Sequence, residues 1–374
     1  MSVVLPCLDE EETVGDVVAE ALQGLAAAGV RGEVVVVDNG SADRSAERAA
    51  AAGARVIHEP RRGYGQAYLT GLAAARGELI VLADADGTYP LADLTPLLQP
   101  LREGAGLVLG SRFQGTMAPH AMPFLNRWVG NPILTGTLNL FFGAGVSDAH
   151  CGLRAVRRDA LPLLDLRTTG MEFASEMVLK AAKRRVPIAE TPIDYRVRGG
   201  SSKLSPYRDA WRHVRLMLVH SPSFLFLLPG LLAFVLGSAA LAALAAGPLD
   251  LFGRTWQIHS AIFASVLALV GAQIVQLGLF ARTYAVLYLG DTDPVLERFF
   301  GRLRLEHGLL AGAVVLAAGV GVLAYVVAVW AAAGFADLEA QHLSVVGLTL
   351  VGIGVQIVFG SFFLSILGLR GNER

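Results

Sequence analysis

Cysteine is nearly absent from this chain of 374 residues: only Cys7 and Cys151 occur, far apart and with no Cys or His nearby at metal-ligand spacing. A disulfide framework and a structural zinc site therefore find no support, and a reducing compartment is the simplest setting. Charge is scarce as well. Charged side chains make up 17% of the chain against 53% hydrophobic ones, and the mean hydropathy of +0.51 exceeds what one water-soluble core of this size needs. The segment Met1 to Leu8 lacks both a basic flank and a long apolar core, so no cleavable signal peptide is expected. No internal repeat or low-complexity tract stands out beyond a bias toward alanine.

The scarcity of charge is uneven. After Ser223, stretches long enough to cross a bilayer carry no charged side chain, whereas the first 220 residues carry charges at intervals typical of a soluble domain. The net charge of -1 hides a local excess: Lys180, Lys183, Arg184, Arg185, Arg196, Arg198, Lys203, Arg208, Arg212 and Arg215 crowd the approach to the first apolar stretch. Such a junction suits anionic head groups or phosphates.

Within the first half, short β-rich runs (Val3 to Leu5, Glu33 to Val37, Arg55 to His58, Leu79 to Ala83, Leu107 to Leu109) alternate with helical stretches (Thr13 to Ala28, Ala42 to Ala52, Gly65 to Ala75, Leu91 to Arg102). Alternation of this kind predicts an α/β domain with a mainly parallel central sheet covered by helices. Runs such as VVVV and LIVLA show no polar alternation, as strands buried on both faces require. Gly29, Gly53 and Gly77 stand where helix ends favour a left-handed residue.

Ligands of such sheets gather at the carboxyl ends of the strands, and these positions are acidic. Asp38-Asn39-Gly40-Ser41 follows Val37, and Asp84-Ala85-Asp86-Gly87-Thr88 follows Ala83. Two carboxylates one residue apart can hold a divalent cation that bridges a diphosphate. Such a triplet equally caps turns, and Asp38 with Ser41 is also good turn chemistry, with Ser41 opening the next helix. Gly63-Tyr64-Gly65 follows Arg61-Arg62 rather than a strand and lacks the third glycine of a dinucleotide fingerprint, which disfavours a nicotinamide enzyme. Arg198 and Lys203 flank a Gly-Gly-Ser-Ser stretch that either closes over a diphosphate or forms a solvated loop near lipid. Arg154 has Asp148 or Asp159 as candidate partners. His58, His120 and His150 have no partner at ligand spacing and read as ordinary histidines.

Taken in order, VVLPCLDEEET, VVVVDNGSAD, RRGYGQAYLTGLAAARGE and LADADGTYP resemble the N-terminal sheet of family 2 glycosyltransferases with the GT-A fold. Gly110-Ser111-Arg112-Phe113, Asn126-Arg127, Asp148 to Arg154 and Arg196 to Leu204 are similar to the dolichyl-phosphate mannose and glucose synthase branch. The resemblance covers residues 2 to 220. It implies that Pro6, Leu8, Glu10 and Asp38 surround the nucleoside, and that Asp84, Ala85 and Asp86 serve Mg2+ or Mn2+ and the diphosphate, with Arg198 and Lys203 on the nucleotide-sugar. It implies that Arg112 and Arg127, with Asn131, hold the acceptor phosphate. Thr88, the third expected metal position beside Asp84 and Asp86, stands where mannose synthases carry a glutamine metal ligand, and Asp-Ala-Asp-Gly is closer to the glucose-transferring branch.

The implied activity is an inverting, metal-dependent transfer of a hexose from UDP-glucose or GDP-mannose type donors to polyprenyl phosphate. A phosphate acceptor is already anionic at neutral pH, so no obligatory base is needed, and Asp148 is a candidate for a supporting catalytic role beside an ion-pair or capping role. The expected partners are donor, acceptor and membrane lipid, not nucleic acid, with homo-oligomerisation left open. Two rivals are a processive polysaccharide synthase, whose Gln-X-X-Arg-Trp motif is absent, and a non-enzymatic lipid-linked-sugar flippase or scaffold, against which the acidic and basic residues argue.

The expected organisation is a catalytic domain over 1–204, an amphipathic interfacial helix over 205–222, and a four-helix transmembrane domain over 223–374. Spans are expected near Phe224 to Leu244, Ile258 to Phe280, Leu309 to Ala332 and Leu343 to Leu369. Arg282, Arg298, Arg302 and Arg304 lie between spans two and three, only Arg254 lies between one and two, and neither Lys nor Arg lies between three and four. The positive-inside rule then puts the catalytic domain and both termini in the cytoplasm. Tyr207, Ala210, Trp211, Val214 and Leu218 define the apolar face of the interfacial helix. Val295, Leu296, Phe299, Phe300 and Leu303 suggest a second one. Gln273, Gln276 and Gln356 line an acceptor path or, more simply, bond between helices.

Overall fold

A computed structural model describes residues 1–199, 206–251, 253–289, 305–335 and 340–369, which fall into two compact units, Met1–His220 and Ser221–Arg374. Lys203 with most of its Gly-Ser loop, Arg298, Arg302 and Arg304, and the second interfacial helix expected near Val295 to Leu303 lie outside the described residues.

The first unit is built on a seven-stranded sheet: β1 Ser2–Cys7, β2 Glu33–Asp38, β3 Arg55–His58, β4 Leu79–Leu82, β5 Leu107–Ser111, β6 Arg154–Arg157 and β7 Ile188–Pro192, in the order β3-β2-β1-β4-β6-β5-β7. The first four strands are parallel, β5 pairs in parallel with β7, and β6 runs antiparallel to both β4 and β5. Strands β6 and β7 are additions to the five expected. RAVR has charged ends, and IAETP is polar at its centre, so neither reads as a buried run.

Side-chain alternation divides the core. Val3, Leu5, Val34, Val36, Val81 and Val108 pack on one face under helices α1 (Val14–Ala27) and α4 (Thr95–Arg102). Val4, Val35, Val37, Ile80, Leu82, Leu107 and Leu109 pack on the other under α3 (Tyr64–Ala74), α5 (Asn131–Phe142) and α7 (Phe173–Lys183). The remaining helices of this unit are α2 (Ser45–Ala51), the single turn α6 (Leu161–Leu164) and α8 (Pro206–Val219).

Several local expectations change. Gly29 and Gly53 have positive φ, +63° and +98°, but Gly77 does not; a Cβ there would sit 2.5 Å from the backbone nitrogen of Ser2, so close approach to β1 is what requires it. Ser41 does not open α2, which starts at Ser45; its N–H donates to Asp38 Oδ1 at 3.1 Å in a turn. On α8, His213, Leu216 and Met217 are buried and Val214 packs on the core, so Val214 leaves the expected outward face, while Tyr207 and Trp211 remain 87% and 60% exposed.

The second unit contains four helices long and apolar enough to cross a membrane: Ser223–Leu244, which includes α9 (Leu228–Leu244), then α10 (Ile258–Leu289), α11 (Leu305–Ala332) and α12 (Gln341–Leu369). A short antiparallel hairpin, β8 (Leu249–Leu251) with β9 (Arg254–Trp256), joins the first two. Gln276 Nε2 donates to the Gln356 carbonyl at 2.6 Å, and Ser265 shares a 2.6 Å hydrogen bond with Thr349, so Gln276 bonds between helices; Gln273 is exposed.

Glycines seal two hairpins of helices. Gly230 and Gly237 of α9 meet α10, and Gly312 and Gly319 of α11 meet α12, in each case seven residues apart. A Cβ on Gly237 would lie 2.4 Å from the Ala268 backbone nitrogen, and one on Gly319 would lie 2.7 Å from that of Val351. Lipid offers no hydrophobic drive for association, so close backbone contact supplies it. Gly319→Leu is expected to lower the melting temperature in detergent, at a cost of about 1–3 kcal/mol. Gly321→Leu, at a position with no atom within 4 Å, is the control. Equal melting of the two variants would refute the seam.

Candidate active site

Strand direction assembles the site. Six strands end at one edge of the sheet, and β6, running the other way, begins there. Register then sets Cys7 beside Asp38, Asp38 beside His58, and Leu82 beside Arg154.

At the β1–β2 end, the 8–12 loop is tied to the 41–45 loop. Asp9 N–H donates to Ser41 Oγ at 3.0 Å, Ala42 N–H to Asp9 Oδ1 at 2.7 Å, and Glu10 N–H to Ser45 Oγ at 2.8 Å. Asp9 itself takes φ of +51°. Pro6 and Leu8 are half-buried on this border. Asp38 is nearly buried, and its Oδ2 is 3.0 Å from His58 Nδ1, so His58 does have a partner, one placed by strand register. Asn39 spans the floor, donating to the carbonyls of Glu59 and Arg61 and accepting the Gly63 N–H at 2.7 Å. Glu59 is held well below the usual carboxylate range, first by its hydrogen bonds from the Arg61 side chain and then by Thr70.

At the end of β4, Asp84 Oδ1 accepts hydrogen bonds from Tyr64 at 2.9 Å and Tyr68 at 3.4 Å. Burial, followed by the charge of Asp86, raises the Asp84 pKa to about 6. Asp86 Oδ1 accepts from the Thr88 N–H at 3.1 Å and from its hydroxyl at 2.7 Å, so Thr88, itself buried, is turned onto the Asp86 carboxylate. Thr13 Oγ1 donates to the Ala85 carbonyl at 2.8 Å, tying this turn to the start of α1.

The segment before the Gly-Ser loop runs along the same turn: Arg196 N–H donates to the Thr88 carbonyl at 2.9 Å and Gly199 N–H to that of Asp86 at 3.2 Å. It delivers Arg198 between two acids, with Nη2 donating to Glu10 at 2.7 Å and Nε lying 3.4 Å from Asp86 Oδ2. Burial opposes the guanidinium charge, but Asp86 and Glu10 together raise its pKa. Its Nε–H is buried without a hydrogen-bond acceptor among the described residues.

Beyond β5, Arg112 makes a two-pronged pair with Asp148, Nε to Oδ2 at 2.7 Å and Nη2 to Oδ1 at 2.8 Å, with Asp148 0% exposed. Although burial works against its charge, Asp148 holds the Arg112 pKa well above its usual value. The Arg112 guanidinium also faces the Tyr195 ring at 5.3 Å. Arg154 pairs with neither Asp148 nor Asp159: it donates to the carbonyls of Cys151, Ala174 and Ala149 at 2.7, 2.7 and 2.8 Å. Asp159 instead pairs with Arg157.

Arg127 lies on the turn Asn126–Gly130, its guanidinium 5.3 Å from the Trp128 ring and without an acidic partner among the described residues. Asn131 Nδ2 contacts Met122 Sδ at 3.3 Å. Phe124, Leu125, Trp128 and Ile133 surround this turn as exposed large apolar side chains. His150 does not stand alone either: Ser175 joins it to His213 through hydrogen bonds of 3.0 and 2.7 Å. Tyr68, Tyr195 and Glu190 have no individual role in the sequence reading, and Asn39 and Tyr64 enter it only as members of a turn and of a glycine run. Glu190 accepts the N–H groups of Ser147 and Asp148, which steadies the loop carrying Asp148.

No group of three or more His, Cys, Asp or Glu that could hold a metal ion occurs among the described residues. Asp84 and Asp86 remain as a pair of hard, mutually repelling oxygen donors. That set fits a cation such as Mg2+, which takes one or two carboxylates and completes its shell with phosphate oxygens and water.

Acidic strand ends on a mainly parallel sheet, joined to apolar helices long enough to span a membrane, define a membrane-anchored GT-A enzyme. The family model for Glycosyl transferase family 2 matches residues 2–163, and that for the Glycosyltransferase family 2 C-terminal transmembrane region matches residues 279–368. Low-salt glycan biosynthesis hexosyltransferase Agl6 of Haloferax volcanii is 42% identical over 372 residues, covering 98% of this chain and 89% of that protein. Dolichyl-phosphate hexose transferase of the same organism is 36% identical over 207 residues, covering 55% of this chain and 87% of that one. Among solved structures, glucosyl-3-phosphoglycerate synthase from Mycobacterium tuberculosis in complex with phosphoglyceric acid aligns with a TM-score of 0.47 and 27% identity, over 59% of this chain and 79% of that one. The chain belongs to glycosyltransferase family 2. It is an integral membrane glycosyltransferase, related to dolichyl-phosphate hexose transferases.

The Asp84 pKa has a consequence for stability. An ordinary carboxyl titrates near 4 in the unfolded chain, whereas Asp84 titrates at about 6 when folded. The folded state therefore binds the extra proton, and the stability this contributes is complete below about pH 4 and lost as pH rises through about 6. In chelator, Asp84→Asn is expected to gain about 1–3 kcal/mol relative to the parent between about pH 4 and pH 7. Thermal melting at a series of pH values checks this, and a difference that stays flat across the range would refute it.

Proposed function

We propose that the protein transfers one hexose, with inversion, from a nucleotide diphospho-sugar to the phosphate of a polyprenol or dolichol at the cytoplasmic membrane face. The observation that carries this reading is the pairing, on one unit, of an acidic strand-end cluster with Arg112 and Arg127, the latter set among exposed apolar side chains. Acids with a bound cation suit the donor diphosphate. Arginines beside apolar surface suit an acceptor that is a phosphate at one end and a hydrocarbon beyond it. The 42% identity to a hexosyltransferase of glycan biosynthesis and the 36% identity to a dolichyl-phosphate hexose transferase support the same chemistry.

In this reading Pro6, Leu8, Glu10 and Asp38 border the nucleoside. Asp84 and Asp86 hold a divalent cation, which when bound neutralises charge on the departing diphosphate. Thr88 orients Asp86 through its hydroxyl rather than serving as a ligand. Arg198, released in part from Glu10 and Asp86, offers its unsatisfied Nε–H to a diphosphate oxygen, and Lys203 follows on the same loop. Asp148 spends both carboxylate oxygens on Arg112, so it acts by aiming that guanidinium and not as a base. The remaining Arg112 N–H groups, with Arg127 and Asn131, orient the acceptor phosphate for in-line attack on the anomeric carbon. Tyr207 and Trp211 on α8 sit at the lipid surface, and Arg298, Arg302 and Arg304, between spans two and three, face the cytoplasm, whereas Arg282, expected in that connection, falls within α10.

The reconstituted protein, given labelled UDP-glucose, GDP-mannose and UDP-N-acetylglucosamine in turn with one polyprenyl phosphate, is expected to yield a single-sugar lipid from one of them. A polymer, or no lipid product from any donor, would overturn the proposal. Asp86→Asn is expected to lower kcat at least about 100-fold, the scale of lost transition-state charge stabilisation. Arg127→Ala is expected to lower kcat/KM for the acceptor about 10- to 100-fold, the worth of a charged hydrogen bond, with the donor KM unchanged.

A further inference from the structure

The Gly63-Tyr64-Gly65 run matches no phosphate-binding fingerprint, yet the structure gives each of its residues a task. A Cβ on Gly63 would lie 2.3 Å from the Thr169 carbonyl oxygen, and one on Gly65 would lie 2.3 Å from that of Thr168. Without side chains at these two positions, the first turn of α3 lies flat against the 168–170 loop. Tyr64 and Tyr68, one helical turn apart, then point at the end of β4. Their rings meet edge to face at 4.9 Å, and Tyr68 stacks on Phe173 at 5.2 Å, so neither phenol is free to swing. Both hydroxyls converge on Oδ1 of Asp84.

The other carboxylate oxygen meets a different constraint. Strand β6 lies beside β4, and this brings Gly152 against Asp84: a Cβ at 152 would fall 2.5 Å from Asp84 Oδ2, 3.1 Å from its Cγ and 3.1 Å from Tyr89 Cε2. The Gly152 N–H donates to the Tyr89 hydroxyl oxygen at 2.8 Å, which fixes the peptide at that spot. Among the described residues Oδ2 accepts no hydrogen bond.

We infer that Tyr64, Tyr68 and Gly152 form a seat that sets the orientation of the Asp84 carboxylate, engaging Oδ1 and leaving Oδ2 for the divalent cation of the donor diphosphate. The inference rests on the metal reading proposed above and adds to it three positioning residues that are not ligands. Outer partners of this kind typically set metal affinity by about 10- to 100-fold.

The test uses the full chain in detergent and counts free Mn2+ by its electron paramagnetic resonance signal, titrated with UDP and, separately, with GDP present. Tyr64→Phe removes one hydroxyl and keeps the ring, and is expected to weaken Mn2+ binding about 10-fold with an unchanged melting temperature. Tyr68→Phe, whose hydroxyl is the more distant, is expected to weaken it less. Gly152→Ala is expected to weaken it the most. Should Gly152→Ala fail to fold, Tyr64→Phe decides alone. Folded variants that bind Mn2+ as tightly as the parent overturn the seat and leave the metal reading standing. A parent that binds no Mn2+ with either nucleotide overturns both.

Discussion

Asp84 and Asp86 repel each other at the end of a buried strand, and much of the surrounding structure serves to keep them there. Each carboxylate is restrained by different chemistry: phenols on Asp84, the Thr88 backbone and hydroxyl on Asp86, and a guanidinium beside Asp86. These contacts do not return Asp84 to the usual carboxylate range: burial first, and the charge of Asp86 second, raise its pKa to about 6. In the proposed reading, a site that holds such a carboxylate in an unfavourable state without ligand is preorganised for a cation and for the phosphates that accompany it. The cost falls on the stability of the ligand-free protein rather than on the reaction.

The basic side of the site obeys the opposite logic. Arg112 is nearly buried, and an unpaired guanidinium there would be expensive to desolvate. Asp148 meets that cost with two hydrogen bonds and leaves a planar cation whose direction is fixed. Arg127 is treated differently: half-exposed, stacked near Trp128 and without an acid among the described residues, it keeps its charge for something outside the fold. The proposed acceptor, an anion with an apolar tail, suits that setting.

The N-terminal sheet and the four spans were legible because each rests on a strong local signal, a continuous β-branched run or a long uncharged stretch. The strand ends carrying Asp38, Asp84 and Asp86 were legible for the same reason. Strands β6 and β7 were not, because RAVR and IAETP owe their place to neighbours already in the sheet rather than to hydrophobic patterning. Side-chain partnerships were the least readable layer. His58 meets Asp38 only through the register of β2 and β3, and Arg154 finds carbonyls rather than the nearby acids. On α8, the facing of Val214 was misread because the helix packs on the core through Met217, a contact that helical periodicity alone does not reveal. The glycine seams escaped notice for a related reason. Seven-residue spacing of single glycines is faint in a chain with 42 of them, and becomes meaningful only when two helices are seen to touch.

One unbroken run of contacts joins the two sides of the site. Asp84 rests on Gly152, the Gly152 N–H holds the Tyr89 hydroxyl, Tyr89 packs on Tyr195 at 5.5 Å, and Tyr195 lies under the Arg112 guanidinium. A displacement needs the attacking oxygen and the departing diphosphate on opposite sides of one carbon, within a few tenths of an ångström. Flexible side chains reaching in from separate loops would hold that spacing poorly. Here a stack of rings and backbone fills the space between the carboxylate and the arginine. The antiparallel strand β6, inside the sheet between β4 and β5, is what brings Gly152 into that stack.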